Sequence, residues 1–104
     1  MDILWDEAKN KKLKEARGIS FEDVAQIILD KKYLAVLENP LHPEQMIFVV
    51  SYKSYTYVVP FIIDPDDNIV LKTVFPSRKF HKLYGEEKQW KQNLIPLNGK
   101  SRIR

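Results

Sequence analysis

MIFVVSYKSYTYVVPFII, residues 46–63, decides the architecture of this 104-residue chain. Residues 46–52 and 55–63 are β-branched and aromatic runs, and Lys53-Ser54 between them is short enough to make a tight hairpin. A third run, IVLKTVF at 69–75, follows the turn-forming DPDDN of 64–68, so the three read as an antiparallel meander. The second and third runs are apolar on both faces, as central strands covered on both sides are. Pro60 inside the middle run cannot donate to a ladder and implies a bulge or an unpaired edge there. Upstream, Tyr33–Leu37 adds a strand, closed by the proline-broken loop ENPLHPEQ at 38–45.

Before Tyr33 the apolar period is helical. Ser20 and Asp23 resemble a capping box, and Ile19 is placed to staple onto Val24. Phe21, Val24, Ala25, Ile28 and Leu29 fall on one stripe, and the helix is expected to end near Asp30-Lys31. An earlier helix is capped by Asp6, carries Glu7 in its first turn and stops at Gly18. Its apolar content is thin, with Ala8, Leu13 and Ala16 among Lys9, Lys11, Lys12 and Lys14, so most of it faces water. Ile3-Leu4-Trp5 reads as a short strand leading into it.

Beyond the meander, Ser77 caps a short helix over 78–84 that ends at Gly85. The order β-α-α-β-β-β-β-α predicts an α+β domain, with two N-terminal helices packed on a small, mostly antiparallel sheet and a short C-terminal helix. One domain is expected over residues 1–85, followed by a basic tail at 86–104. The composition, 44% hydrophobic and 30% charged, is that of a soluble globular protein. No window approaches the roughly 18 apolar residues of a membrane span. The acidic start, MDILWDEAKN, does not resemble a secretion signal, and the absence of cysteine excludes disulfides and thiolate metal sites. A cytoplasmic protein is expected.

The net charge of +3 conceals an asymmetry. Residues 1–71 hold 8 Lys/Arg against 12 Asp/Glu, whereas residues 72–104 hold 9 against 2. Lys72, Arg78, Lys79 and Lys82 run without an acid before Glu86, the footprint of a surface that meets phosphate or an acidic protein. The alternatives for these cations are a solvated surface or, for Arg78, an ion pair with Glu22 or Asp23. No glycine-rich phosphate loop is present, and His42 and His81 stand in no metal-ligand spacing, so neither metal nor cofactor is expected. DPDDN lacks the glycine and terminal glutamate of a calcium loop. What remains is phosphate chemistry. Arg78 offers a planar bidentate fork, and Lys79 and Lys72 offer point charges. His81 is the side chain whose ordinary pKa lies near neutrality, and His81 or Tyr84 is the candidate proton carrier. Tyr52, Tyr55, Tyr57 and Tyr84 are candidate stacking surfaces for bases, or core.

LWDEAKNKKLKEARGISFEDVAQI resembles the opening of the BrnT family of toxins from bacterial toxin–antitoxin pairs. Trp5, Asp6, Lys9, Gly18, Ser20, Phe21 and Glu22 match its pattern. KTVFPSRKFHKLY is similar to the family's closing strand and helix, with Arg78 and Lys79 on its basic pair. Arg17 stands where the family usually has histidine, and Ser77 is displaced by one position. The resemblance implies a RelE-like fold and a metal-independent ribonuclease, without a cofactor, that inhibits translation. Arg78, Lys79 and His81 would be catalytic, and Lys72, Lys82, Tyr84, Arg17 and Lys9 would bind RNA. It further implies a type II antitoxin partner, usually a ribbon-helix-helix DNA-binding protein, with operator DNA reached only through it. RNA would be met on or off the ribosome. The alternative is a non-catalytic module of the same fold that binds nucleic acid or protein.

Overall fold

The computed structural model describes residues 1–85; the basic tail expected at 86–104 lies outside the described residues. The elements run β1 (Ile3–Leu4), α1 (Glu7–Arg17), α2 (Phe21–Leu29), β2 (Ala35–Glu38), β3 (Met46–Tyr52), β4 (Tyr55–Ile63), β5 (Ile69–Leu71), β6 (Phe75–Pro76) and α3 (Arg78–Tyr84). They form an α+β fold whose open sheet has the order β1-β5-β4-β3-β2, with β6 also paired to β4. All its pairings are antiparallel except β1 with β5, where Ile3 meets Ile69 and Leu4 meets Val70.

The hairpin at 46–63 forms as its sequence dictates, in register from Tyr52↔Tyr55 to Met46↔Phe61. Its two turn residues, Lys53 and Ser54, both adopt positive φ, 49° and 66°, the hand that matches the twist of the flanking strands. One face of the sheet carries Phe48, Val50, Val59, Phe61 and Leu71, which close the main core with Phe21, Val24 and Ile28 of α2 and Leu13 of α1. Phe48 and Phe61 stack across the hairpin at 4.3 Å. The opposite face carries Ile47, Val49, Thr56 and Val58, all buried. Alternation of side chains along β3 and β4 accounts for both sets.

Pro60 produces the bulge expected of it. Lys72 N–H donates to Pro60 O at 2.9 Å, so the β5 side of Pro60 is its hydrogen-bonding side. In an antiparallel pair the return bond would run from residue 60 N–H to Lys72 O, and proline has no N–H. The ladder stops there. Between the pairs Phe61↔Leu71 and Val58↔Phe75, β4 advances three residues and its partner four, the count of a β-bulge. The strand expected over 69–75 is therefore two, β5 and β6, and Lys72 is not mid-strand but at the break. The orphaned Lys72 carbonyl is met by Lys9 Nζ at 3.5 Å, the long end of hydrogen-bonding range.

The helical layer follows its caps. Asp6 accepts from Ala8 N and Lys9 N, and Gly18 closes α1 with φ 68°. Ser20 and Asp23 complete their capping box. Leu29 corrects the expected stripe: it is 67% exposed, because α2 ends at Asp30 and the chain turns away through Lys31 at φ 56°. Ile27 packs partly on the core in its place.

Asn10 is the polar centre of this layer and is wholly buried. Its Oδ1 accepts from Phe21 N at 2.8 Å, supplying an N–H of the first turn of α2 that α2 itself cannot satisfy. Its amide donates to Glu7 and to Glu22 at 3.0 and 2.7 Å. One side chain thus ties α1 to the start of α2. Asn10→Ala is expected to lower the unfolding free energy by about 2–3 kcal/mol, since it leaves the Phe21 N–H buried and unpaired. Urea titration measures it; a change within the ordinary surface range of about ±0.5 kcal/mol would contradict the clamp.

Asp23 ties the layer to the sheet. Tyr52 O–H donates to its Oδ2 at 3.0 Å, and Ser20 N–H donates to the same oxygen. Burial pushes the Asp23 carboxyl up, but the bonds from Ser20 and Tyr52, with Lys53 nearby, outweigh it and hold it below its ordinary 3.8. The same bond, followed by burial, holds the Tyr52 hydroxyl above its ordinary 10.0. The carboxylate's contribution to stability is present above pH 3.8 and is lost as the pH falls through the depressed folded value. The tyrosine's contribution is present below pH 10.0 and is lost as the pH rises through the raised one. Tyr52→Phe is expected to flatten the stability profile at both ends, measured as urea midpoints against pH.

Candidate nucleic-acid interface

Two grooves flank the break between β5 and β6. The first, about 610 Å³, has Ile47, Val58 and Pro60 in its lining, with Phe75 and Phe80 from β6 and α3. Leu41, His42 and Gln45 of the 38–45 loop contribute too, and Lys9, Lys72 and Lys79 supply its cations. The second, about 320 Å³, is lined by Leu13, Phe21 and Val74 together with Lys9, Lys12, Arg17 and Lys72. Lys9, Lys72 and Thr73 belong to both grooves and separate them. This ridge follows from Pro60, because the carbonyl that proline leaves unpaired is the one Lys9 approaches.

Ser77 caps α3 through its hydroxyl, which accepts from Phe80 N at 3.2 Å. Thr56 pins the same element twice: its carbonyl accepts from Ser77 N at 3.1 Å, and its hydroxyl lies 3.0 Å from His81 Nδ1. The His81 ring stacks on Tyr55 at 4.3 Å and 21°. Arg78 and Lys82, one helical turn apart, flank His81 on α3 and are exposed. Lys79 lies on a different flank, with Nζ 5.5 Å from the Phe80 ring, and Phe80 in turn meets Tyr84 at 6.0 Å.

The sequence-derived residues thus fall into two sets. Lys9, Arg17, Lys72 and Lys79 line the grooves; Arg78, His81, Lys82 and Tyr84 do not. Arg78 has no ion pair among the described residues, because its two candidate partners are engaged elsewhere. Glu22 is bonded to Asn10 and paired with Lys14 at 3.7 Å, and the Asn10 bond is the main cause of its lowered pKa. Asp23 serves Ser20 and Tyr52. Of the other stacking candidates, Tyr52 and Tyr57 pack against the core.

Two residues of the interface escaped the sequence reading. Lys12 belongs to the second groove and stands three residues after Lys9, a spacing that shares a helix face and could have marked it. Thr56 is the polar residue of an otherwise apolar inward row with Val58 and Pro60, and that parity was legible. Among the described residues no three His, Asp or Glu side chains gather as metal ligands. No helix among them is long and apolar enough to cross a membrane. The arrangement offers a guanidinium and an imidazole at one end of the sheet and five cations along adjoining grooves, none of them in an ion pair among the described residues. That is a surface suited to a phosphodiester chain.

No family model matches the chain, and no curated protein matches its sequence. Among solved structures it is similar to the 1.1 Å crystal structure of the ribonuclease toxin BrnT of Brucella abortus. The two superpose with a TM-score of 0.57 over 74% of this chain and 96% of that one, at 17% sequence identity. The likeness is one of fold, spanning nearly the whole of that toxin.

Proposed function

We propose that this protein is a ribonuclease that arrests translation, the toxin of a bacterial type II toxin–antitoxin pair. The observation that carries the reading is the shared fold with a ribonuclease toxin over 96% of the latter's length. The uncompensated cations at the sheet break support it. In this reading RNA supplies its own nucleophile. The ribose 2′-oxygen attacks phosphorus in line, the P–O5′ bond breaks, and a 2′,3′-cyclic phosphate and a 5′-hydroxyl result. The 2′-hydroxyl proton leaves, and the 5′-oxygen takes one up.

Arg78 is proposed to hold two phosphate oxygens through its planar fork and to stabilise the charge that grows on the phosphorane. Lys79 adds a point charge, and His81 completes the catalytic set. Lys72, Lys9, Arg17 and Lys82 bind the flanking phosphates, and Tyr84 a base. The protein acts in the cytoplasm, on RNA free or on the ribosome. An antitoxin, of the ribbon-helix-helix DNA-binding kind, neutralises the same cations and carries the pair to operator DNA.

Cell-free translation with 5′-end mapping of the message tests this. Discrete new ends are expected with the wild-type protein and none with Arg78→Ala/Lys79→Ala; Arg78→Ala alone should cost about 10²–10³ in cleavage rate. An intact message with wild-type protein would refute the ribonuclease. Binding to a single-stranded RNA should weaken with salt, and Lys9→Ala/Lys72→Ala should reduce the slope of log K against log salt by roughly 1.4 if each lysine meets one phosphate. An unchanged slope would remove the ridge from the RNA path.

A further inference from the structure

His81 is held on three sides. Thr56 Oγ1 lies 3.0 Å from Nδ1, the Tyr55 ring covers one face, and Gly85 closes the Nδ1–Cε1 edge. A methyl group added to Gly85 would clash with the His81 carbonyl oxygen and press on both ring atoms at 3.3 Å, so no larger residue fits there without a shift of the backbone. Nε2, farther round the ring, bonds to no described residue and is the nitrogen left for a substrate.

The Thr56 hydroxyl points to what that nitrogen carries. Thr56 is 1% exposed, and among the described residues Nδ1 is its hydroxyl's one partner. A buried O–H without an acceptor costs about 1–3 kcal/mol, and Nδ1 can accept only when the neutral ring bears its proton on Nε2. Resting on the ribonuclease reading, we infer that Thr56 holds neutral His81 as the Nε2–H tautomer, making it a fixed hydrogen-bond donor to a phosphate oxygen in RNA cleavage and not a general base. A base would need a free lone pair facing the 2′-hydroxyl, and in this tautomer the ring's one lone pair faces inward to Thr56. The 2′-hydroxyl proton then leaves to water. The groups around the ring agree with a donor's task. Arg78 and Lys82 flank it on α3, Tyr55 covers it, and Tyr57 packs edge-on against Tyr55. None of these is a carboxylate that would draw the Nε2 proton away from an anionic substrate. Thr56 is thus a positioning residue, acting through His81.

Nitrogen-15 spectra of the full chain, taken above the pH range where histidine titrates, decide the tautomer; comparison with His81→Gln identifies the ring. The expected result is protonated Nε2 and an Nδ1 resonance displaced as a hydrogen-bonded lone pair is. Thr56→Val should abolish that displacement and Thr56→Ser should keep it. In cell-free translation, His81→Ala should cost about 10²–10³ in cleavage rate, whereas His81→Gln should stay within about tenfold of wild type, since a side-chain amide also donates. Thr56→Val should lose roughly three- to tenfold, recovered by Thr56→Ser. A ring protonated on Nδ1, or His81→Gln as inactive as His81→Ala, overturns the donor role. Failure of the wild-type protein to cut the message overturns the ribonuclease reading and with it any role in cleavage, while the spectra still decide whether Thr56 holds the ring.

Discussion

A missing hydrogen-bond donor in the middle of the sheet organises the rest of this protein. Pro60 sits on β4, between β3 and β5, and makes no demand on the β3 ladder because its hydrogen-bonding side faces the other way. On that other side its lack of an N–H ends the pairing after Lys72 and forces one extra residue into the chain before Phe75. The chain leaves the sheet at Lys72 and Thr73 and returns to β4 at β6, which launches α3 opposite Thr56. The grooves, the lysine ridge and the placement of His81 all descend from that interruption.

Charge arithmetic along the chain would not have located the basic surface. Residues 1–71 carry more acids than bases, yet Lys9, Lys12 and Arg17 of α1 stand on it uncompensated. Four acids of the helical layer are committed to other donors. Asp6 caps α1, Glu7 accepts from Trp5 and Asn10, Glu22 holds Asn10 and Lys14, and Asp23 serves Ser20 and Tyr52. A carboxylate spent on N–H and O–H donors is poorly placed to neutralise a lysine on the far side of its helix. Potential at a surface depends on where charges are held as well as on their sum.

Local signals carried most of the fold. The Lys53-Ser54 hairpin, the Asp6 and Ser20 caps, the Gly18 stop and the Ser77 helix start depend on neighbouring residues and were legible one by one. The failures are matters of distance. Leu29 satisfies the helical period but is the last residue of α2, where the chain turns away, which the period does not encode. The split of residues 69–75 is written in Pro60, a residue of another strand, and could be read as a bulge but not assigned its place. Asn10 looks like one more polar residue on a wet helix, since its partners arrive from the next element. At the interface, the cations were visible as a run, but which of them share a groove was set by the bulge. Thr56 and Lys12 needed the neighbouring strand or helix face to acquire meaning.

The parallel pairing of β1 with β5 has a kinetic side. It joins Ile3 to Ile69, and Asp2 O accepts from Ile69 N at 2.8 Å. The hairpin and the three helices need only near neighbours, whereas this contact must close a loop spanning most of the domain, so on entropic grounds it forms late. On the ribosome it must wait until residue 69 has emerged. Lys9 and Lys72 lie almost as far apart in the chain and can meet only after Lys72 too has emerged. The cationic ridge is therefore absent from the nascent chain until the domain is nearly complete, and an unfinished copy carries its charges without the surface that would concentrate them.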